Sequence, residues 1–264
     1  SFSEFIKFGA IAIPLIIICI LSVLVLIKLL IKKVPISSRM SYLIAIGTSV
    51  CGATAIVATA PVINAKKTEV AYAIANITLF GVIAMLVYPY FAEWYFNGEP
   101  LKAGLFLGTA IHETSQVAAA GLIYDQQFNS PETLNVATVT KLIRNTFLVI
   151  MIPLFAFLYN RGEAKVKNYS ILSIFPYFVI GFIGMIVFRN IGDQVFTVEN
   201  NNYEIWKTLI NYIKSLATVF LTMAMAAVGI SINLNELRSM GYKPFVVGLI
   251  AAVTVGLVSI IALQ

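Results

Sequence analysis

Charge is the property that this 264-residue sequence has least of, because Asp, Glu, Lys and Arg together make up 11% of it. A soluble protein carries about 25% charged residues, so this chain has too few to cover a globular surface. Hydrophobic residues reach 59%, and the mean hydropathy is +0.90. The composition therefore excludes a soluble protein and predicts an integral membrane protein in contact with the lipid bilayer.

Cysteine and histidine are also scarce. Cys19 and Cys51 both lie in apolar stretches, which argues against a disulfide framework. His112 is the single histidine, so no histidine cluster can hold a catalytic metal. The sequence has no P-loop, nucleophile elbow, dinucleotide fingerprint or cysteine-based metal spacing. We therefore expect no enzyme activity, no cofactor and no metal site, and any transport must draw on an ion or substrate gradient.

Basic residues exceed acidic ones by 18 to 12, which gives a net charge of +6. They are scattered between apolar blocks, which the positive-inside rule explains better than nucleic-acid binding does, so no nucleic-acid partner is expected. If every block crosses the bilayer once, Lys28 and Arg39 lie on the opposite side from Lys66 and Lys67. The side of Lys28 holds more basic residues and is predicted to face the cytoplasm.

The apolar residues form eight blocks, each close to the length that spans a bilayer. None of them alternates apolar and polar residues as the strands of a membrane barrel do. The sequence thus predicts an all-α polytopic membrane protein with about eight transmembrane segments in one domain over residues 1–264. The blocks cover roughly residues 8–31, 42–63, 70–91, 103–124, 136–159, 171–188, 205–230 and 245–263.

Two of these blocks differ from lipid-facing helices. Residues 47–55 read GTSVCGATA and residues 108–121 read GTAIHETSQVAAAG, so both combine glycines with polar groups in mid-block. Small residues allow close helix packing, but the pattern also predicts discontinuous helices, whose free backbone groups are tolerated only in a packed interior or a cavity. We expect the substrate site here. Its candidate substrate-binding residues are Thr48, Ser49, Cys51, Thr54, His112, Thr114, Ser115, Gln116, Lys141 and Arg144.

Ionisable residues within a bilayer are costly and usually functional. Glu113 is predicted either to carry a coupling proton or ion, or to be a buried partner of Lys141 or Arg144. Lys141 and Arg144 share one helical face with Asn145 and leave the interior net positive, which favours an anion. The alternative for Lys141 is that it reaches back to the interface, and for His112 that it is a hydrogen-bonded packing residue.

Two internal similarities suggest repeated units. SEFIKFG at residues 3–9 matches NELRSMG at residues 235–241, and an odd number of crossings between them predicts an inverted-topology repeat. If this repeat is real, the chain lacks N-terminal helices of the full protein. In addition, Gly47 and Thr48 match Gly108 and Thr109, and Val50 matches Ile111, which suggests that the two interrupted blocks are related.

Several motifs resemble the YeiH-type sulfate exporter family of bacterial inner-membrane proteins. They are CGATAIVATAPVINAKKTEVAYAIANITLFG at residues 51–81, IHETSQVAAAG at 111–121, KLIRNTFL at 141–148, FPYFVIGF at 175–182 and AMAAVGI at 224–230. Family members usually have Asp where this chain has Glu113. The family is similar to bile-acid, auxin-efflux and sodium/proton antiporter-like carriers, which implies an inverted-repeat transporter bundle with discontinuous helices in the bacterial cell membrane.

These observations predict a secondary active transporter that exports a small anion by alternating access. The resemblance suggests sulfate, sulfite or a related oxyanion or sulfonate as the substrate. We further expect H⁺ or Na⁺ as the coupling ion and a homo-oligomer as one form of the protein. One alternative is a cation/proton antiporter that uses Glu113 as its ion-binding carboxylate. Another is a membrane scaffold or sensor that transports nothing.

Overall fold

A computed structural model describes residues 2–30, 33–160, 178–196, 203–231 and 241–264. Within these ranges the secondary structure is entirely helical, as the apolar blocks predict. The helices are α1 (Phe2–Leu30), α2 (Ser38–Ser49), α3 (Ala53–Thr59), α4 (Lys67–Phe96), α5 (Pro100–Ala110), α6 (Thr114–Phe128), α7 (Pro131–Thr146), α8 (Leu148–Asn160), α9 (Phe178–Val195), α10 (Tyr203–Ser231) and α11 (Lys243–Ala262).

Both interrupted blocks contain a helix break where the sequence predicts one. The first lies between α2 and α3, where Gly52 adopts φ +68°, a conformation that L side chains rarely adopt. The second lies between α5 and α6, where Ile111 and Glu113 are extended. The expectation of discontinuous helices is confirmed at these two positions.

The first broken block returns to the side of the bundle from which it started. Ser37, the residue that caps the start of α2, donates a hydrogen bond of 2.6 Å from its hydroxyl to Glu69 in the first turn of α4. Gly47 of α2 leaves room for Ile56 of α3, since an added Cβ would lie 2.8 Å from Ile56 Cδ1. Helices α2 and α3 therefore form a hairpin whose tip points into the bundle.

The second broken block folds back in the same way from the opposite side. Near the end of α6, Tyr124 donates a 2.5 Å hydrogen bond to Glu93 near the end of α4. At the start of α7, Thr133 lies within 3.4 Å of the carbonyl of Pro100 at the start of α5. The start of α5 and the end of α6 therefore lie at the same end of the bundle.

Helix lengths agree with two hairpins that meet halfway. At 1.5 Å per residue, α2 is about 18 Å long and α5 about 17 Å, given their 12 and 11 residues. Their sum is close to the roughly 30 Å of a bilayer's hydrocarbon core. The 30 residues of α4 beside them reach from one end of the bundle to the other.

Among the described residues, α1, α4 and α11 are each long and apolar enough to cross a membrane. Helices α7 and α8 are bent by 40° relative to each other and would add a fourth crossing as a pair. The expectation of one crossing per block differs from the structure at residues 42–63 and 103–124, where each block forms a hairpin of two shorter helices. The sequence does not distinguish the two cases, because a 22-residue apolar segment has the length of one span and also of two half-helices. The total of eight spans is not confirmed.

The hairpins change which loops share a side. We call the end that carries the starts of α2, α4 and α11 the basic end, and the other end the acidic end. Tyr72 near the start of α4 donates a 2.9 Å hydrogen bond to Gly241, which places the start of α11 at the basic end. Lys66 and Lys67 therefore lie on the same side as Arg39, contrary to the sequence-based expectation. The basic end holds Lys28, Lys33, Arg39, Lys66, Lys67 and Lys243, and the acidic end holds Glu93, Glu99, Asp125, Glu132 and Lys102.

Two motifs lie partly beyond this description. The second copy of the proposed repeat, residues 235–241, is outside the described residues except for Gly241. The same is true of residues 175–177 in the FPYFVIGF motif.

Candidate functional site

The two hairpin tips, residues 50–52 and residues 111–113, meet inside the bundle beside α7. Arg144 of α7 has 0% of its surface exposed and directs its guanidinium to backbone carbonyls of both hairpins. Its Nε donates a 2.9 Å hydrogen bond to the carbonyl of Ser49, and its Nη atoms donate to the carbonyls of Thr48 and Thr109. Arg144 therefore ties the end of α2 to the end of α5.

Lys141 lies one turn earlier on α7 and bridges the same two helix ends. Its Nζ donates to the carbonyl of Val50 at 2.8 Å and to that of Ile111 at 2.9 Å. The side chain is 0% exposed, so the alternative that it reaches to the membrane interface is wrong. The sequence similarity that pairs Val50 with Ile111 thus corresponds to equivalent partners of one ammonium group.

Helix geometry explains why cations lie here. The last carbonyls of an α-helix have no partner within the helix and carry a partial negative charge. Lys141 and Arg144 satisfy several of them at the ends of α2 and α5. Helix α7 reaches this position because it packs closely on α5 at Gly108, where an added Cβ would lie 2.7 Å from the carbonyl oxygen of Ala137.

Glu113 neutralises a helix end of the opposite polarity. Its Oε1 accepts a 2.5 Å hydrogen bond from the backbone N–H of Ala53, the first residue of α3. An added Cβ at Gly52 would overlap that oxygen, so the glycine makes room for the carboxylate. Glu113 is 7% exposed and forms no ion pair with Lys141 or Arg144 in the described part of the chain. The alternative that it is a direct buried partner of one of these cations is therefore not what the structure shows.

The start of α6 differs from the other three helix ends at the tips. Glu113 is its N-cap residue, but the side chain extends to α3 instead, and no side chain caps α6. Its first turn contains no acidic residue. Asn145 of α7 donates a 3.1 Å hydrogen bond to the hydroxyl of Thr114, the first residue of α6. This helix start therefore keeps its partial positive charge without an anionic partner.

Several buried polar atoms around the same helix start have no hydrogen-bond partner among the residues that the structure describes. They are His112 Nδ1, Ser115 Oγ, Gln116 Oε1 and Asn145 Oδ1. Such atoms are uncommon in folded proteins and are usually paired by water or a ligand when they occur. The Gln116 side chain is held by α4, where its Nε2 donates a 3.1 Å hydrogen bond to the carbonyl of Thr78.

Most of the predicted site residues come together at the tips, although several act through a different atom than expected. Thr48 and Ser49 contribute backbone carbonyls to Arg144, and Cys51 is buried within the first tip. His112, Thr114, Ser115 and Gln116 surround the start of α6. Thr54 is exposed and is not part of the buried tips, because its position on α3 faces away from them.

Sequence reasoning missed four contributors. The backbone N–H of Ala53 and the missing side chain of Gly52 leave no side-chain pattern to detect. Asn145 shares a helical face with the two cations, so its neighbour Arg144 is the sequence signal that could have found it. Ser259 of α11, within 2.6 Å of the Thr109 hydroxyl, sits in an ordinary apolar helix and gives no signal.

Comparison with known proteins identifies the family. A family model described as conserved hypothetical protein 698 matches residues 1–248. The chain is similar to the UPF0324 membrane protein FN0533 of Fusobacterium nucleatum, with 36% identity over 97% of this chain and 75% of that protein. The chain belongs to the UPF0324 membrane protein family. It is 35% identical to the UPF0324 membrane protein SAG1125 of Streptococcus agalactiae, over 92% of this chain and 69% of that protein.

The resemblance to YeiH is confirmed by the same comparison. The UPF0324 inner membrane protein YeiH of Escherichia coli is 31% identical over 83% of this chain, which spans 58% of the length of YeiH. No solved structure matches this chain. Membership of this family, together with the apolar helices, establishes a multi-pass protein of the bacterial inner membrane.

Proposed function

We propose that this protein is a secondary active transporter that moves a small anion across the membrane by way of the two hairpin tips. The observation that carries the proposal is the charge balance at the tips. Lys141 and Arg144 oppose the single carboxylate of Glu113, and α6 presents the one tip helix end that lacks a charged partner in the described structure. A net positive, buried site with an open helix amino terminus favours an anion.

The substrate position follows from the relation between the two hairpins. Glu113 places a carboxylate on the start of α3. In the matching position of the other hairpin stands Gly52, which has no side chain to place on the start of α6. An anionic group of the substrate would take the place of that missing carboxylate. Thr114, Ser115 and Asn145 would then donate hydrogen bonds to it.

Glu113 would couple anion movement to a proton. Protonation of the carboxylate removes a negative charge from the tips and weakens its hold on the N–H of Ala53, so the protonated site binds an anion more strongly. Because linkage is reciprocal, a bound anion then favours the bound proton by the same free energy. A proton and an anion would therefore move together.

The arrangement of the hairpins supports an inverted repeat and alternating access. The hairpin α2–α3 enters from the basic end and α5–α6 from the acidic end, and the long segments α4 and α7–α8 follow them in opposite directions. Such inverted units, with sites at the ends of half-helices, are typical of secondary transporters. The positive-inside rule would place the basic end in the cytoplasm, and the remaining blocks would add further crossings.

The family resemblance directs the choice of substrate. We propose export of sulfate, sulfite or a related oxyanion or sulfonate, each of which carries several acceptor oxygens for N–H and hydroxyl donors at a helix start. The same donors suit any small oxyanion, so the transport assay should offer a panel of them.

The experiment reconstitutes the protein in liposomes and measures uptake of radiolabelled sulfate, sulfite and small sulfonates under an imposed pH gradient. The decisive variant is Thr114→Asp, with Thr114→Asn as its neutral control of similar shape. The new carboxylate would supply the missing partner of α6, so folding should be retained or improved by about 0.3–1 kcal/mol. Anion flux should fall at least tenfold, whereas Thr114→Asn should retain most of it.

Removing Arg144 is a less selective test, because Arg144 holds both hairpins together and its loss can unfold the protein. A cation/proton antiporter would show sodium-driven proton release that Glu113→Gln abolishes, with anion flux absent. A scaffold or sensor would show no flux with any solute. Normal anion flux in Thr114→Asp would refute the proposed site.

A further inference from the structure

A separate apolar cleft lies at the basic end, away from the hairpin tips. It has a volume of about 400 Å³ and lies between α1, α2 and α8, which contribute Leu24, Ala45 and Phe155 among others. Its wall also includes Lys28 from the last turn of α1 and the ring of Tyr42 from α2. The cleft therefore combines an apolar slot with a cation at its edge.

A second cation stands beside the same edge. Arg39 donates a 3.1 Å hydrogen bond from Nε to the hydroxyl of Tyr159 at the end of α8. The ring of Tyr159 packs edge-on against Tyr42, with 5.7 Å between the ring centroids. Because Tyr42 lines the cleft, the guanidinium of Arg39 lies near its opening. Lys33, exposed just beyond the end of α1, adds a third positive charge at this end.

We propose that this cleft binds an anionic phospholipid, with an acyl chain in the apolar slot and the phosphate at Lys28 and Arg39. Charge complementarity supports this occupant, because basic pockets between transmembrane helices bind anionic headgroups. The slot lies at the basic end, which the positive-inside rule assigns to the leaflet rich in such lipids. A zwitterionic lipid would bring its own cation to the phosphate and gain less from Lys28.

The test uses the purified protein in detergent after removal of co-purified lipid. Thermal unfolding is followed while phosphatidylglycerol, phosphatidylcholine or inorganic phosphate is added, and native mass spectrometry counts the lipids that remain bound. Phosphatidylglycerol should raise the melting temperature and bind as a discrete lipid. Phosphatidylcholine and inorganic phosphate should have little effect.

Two variants, with a third as control, separate the charged part of the site from the apolar part. Lys28→Gln should weaken phosphatidylglycerol binding about fivefold, the effect of one basic residue near a membrane surface. Lys102→Gln, at the acidic end and paired with Glu99 at 3.2 Å, should not change it. Ala45→Leu, which narrows the slot without altering charge, should also weaken lipid binding, and its melting temperature without lipid reports whether it folds.

Equal binding of phosphatidylglycerol and phosphatidylcholine would overturn the proposal, as would unchanged binding in Lys28→Gln. An equal loss in Lys28→Gln and Lys102→Gln would indicate general surface attraction and would overturn it too. These outcomes are independent of anion transport, so failure here leaves the proposed function untouched.

Discussion

Replacing Gly52 by Ala should lower the free energy of unfolding, because the two hairpin tips pack closely at this residue. Gly52 adopts φ +68° and ψ −125°, and an added Cβ would overlap the Glu113 carboxylate that caps α3. The substitution therefore has two separate effects. It strains the backbone of the first tip, and it displaces the carboxylate from the N–H of Ala53.

Both effects can be given a size. A residue held in such a sparsely populated conformation costs about 1–3 kcal/mol. Losing a hydrogen bond to a charged group costs about 1.5–3 kcal/mol. Together they predict a loss of roughly 2.5–6 kcal/mol of unfolding free energy, which should lower the melting temperature by about 5–24 °C. Thermal unfolding of the purified variant in detergent measures it.

A matched control and a double variant separate the two effects. Gly241 also has a positive φ, of +74°, but an added Cβ there meets no atom of the described residues within 4 Å, so Gly241→Ala serves as the control for strain alone. In a Gly52→Ala, Glu113→Ala double variant the overlap is absent. Its destabilisation should therefore be smaller than the sum of the two single effects by about 1.5–3 kcal/mol. Additive effects, or a Gly52→Ala cost no larger than that of Gly241→Ala, would refute the placement of the carboxylate on α3.

Three further substitutions test contacts around the tips. Arg144→Lys keeps the charge but loses the fork that reaches both hairpins, so thermal unfolding should show a loss of about 3–5 kcal/mol; an unchanged melting temperature would contradict the bridging role. Lys141→Met should cost about 2–5 kcal/mol by leaving two buried carbonyls unpaired, and it should also reduce stabilisation by added sulfate. Tyr124→Phe removes the donor to Glu93 and should cost about 1–3 kcal/mol, whereas the exposed Tyr90→Phe should cost nothing measurable by the same assay.

The helix breaks were predictable because their causes are local. Glycines and polar residues in mid-block interrupt an apolar helix wherever it packs, and both breaks occur at such residues. The direction of the chain after each break was not predictable. It depends on contacts between residues about thirty positions apart, such as Ser37 with Glu69 and Tyr124 with Glu93. Such pairs leave no periodic pattern in the sequence.

The buried charges were also predictable, but their partners were not. Glu113, Lys141 and Arg144 stand out in the sequence because an ionisable group within a bilayer costs free energy and is usually functional. Their partners are backbone carbonyls and one backbone N–H. Nearly every residue carries these groups, so the side-chain sequence does not indicate which of them take part. Thr54 is predicted for the site because it is polar like its neighbours, but its side chain is exposed on α3. The direction in which a residue of a short helix faces depends on how that helix packs.

The placement of these charges bears on the choice of coupling ion. In transporters with discontinuous helices, sodium is commonly held by unwound carbonyls and by the carboxyl ends of half-helices. Here the corresponding carbonyls at the ends of α2 and α5 already accept hydrogen bonds from Lys141 and Arg144. These side chains act as tethered cations where a sodium ion would otherwise bind. Glu113 can gain a proton while the carbonyl ends of α2 and α5 keep their hydrogen bonds from Lys141 and Arg144. On the proposed transport function, we therefore infer that a proton, rather than sodium, is the coupling ion.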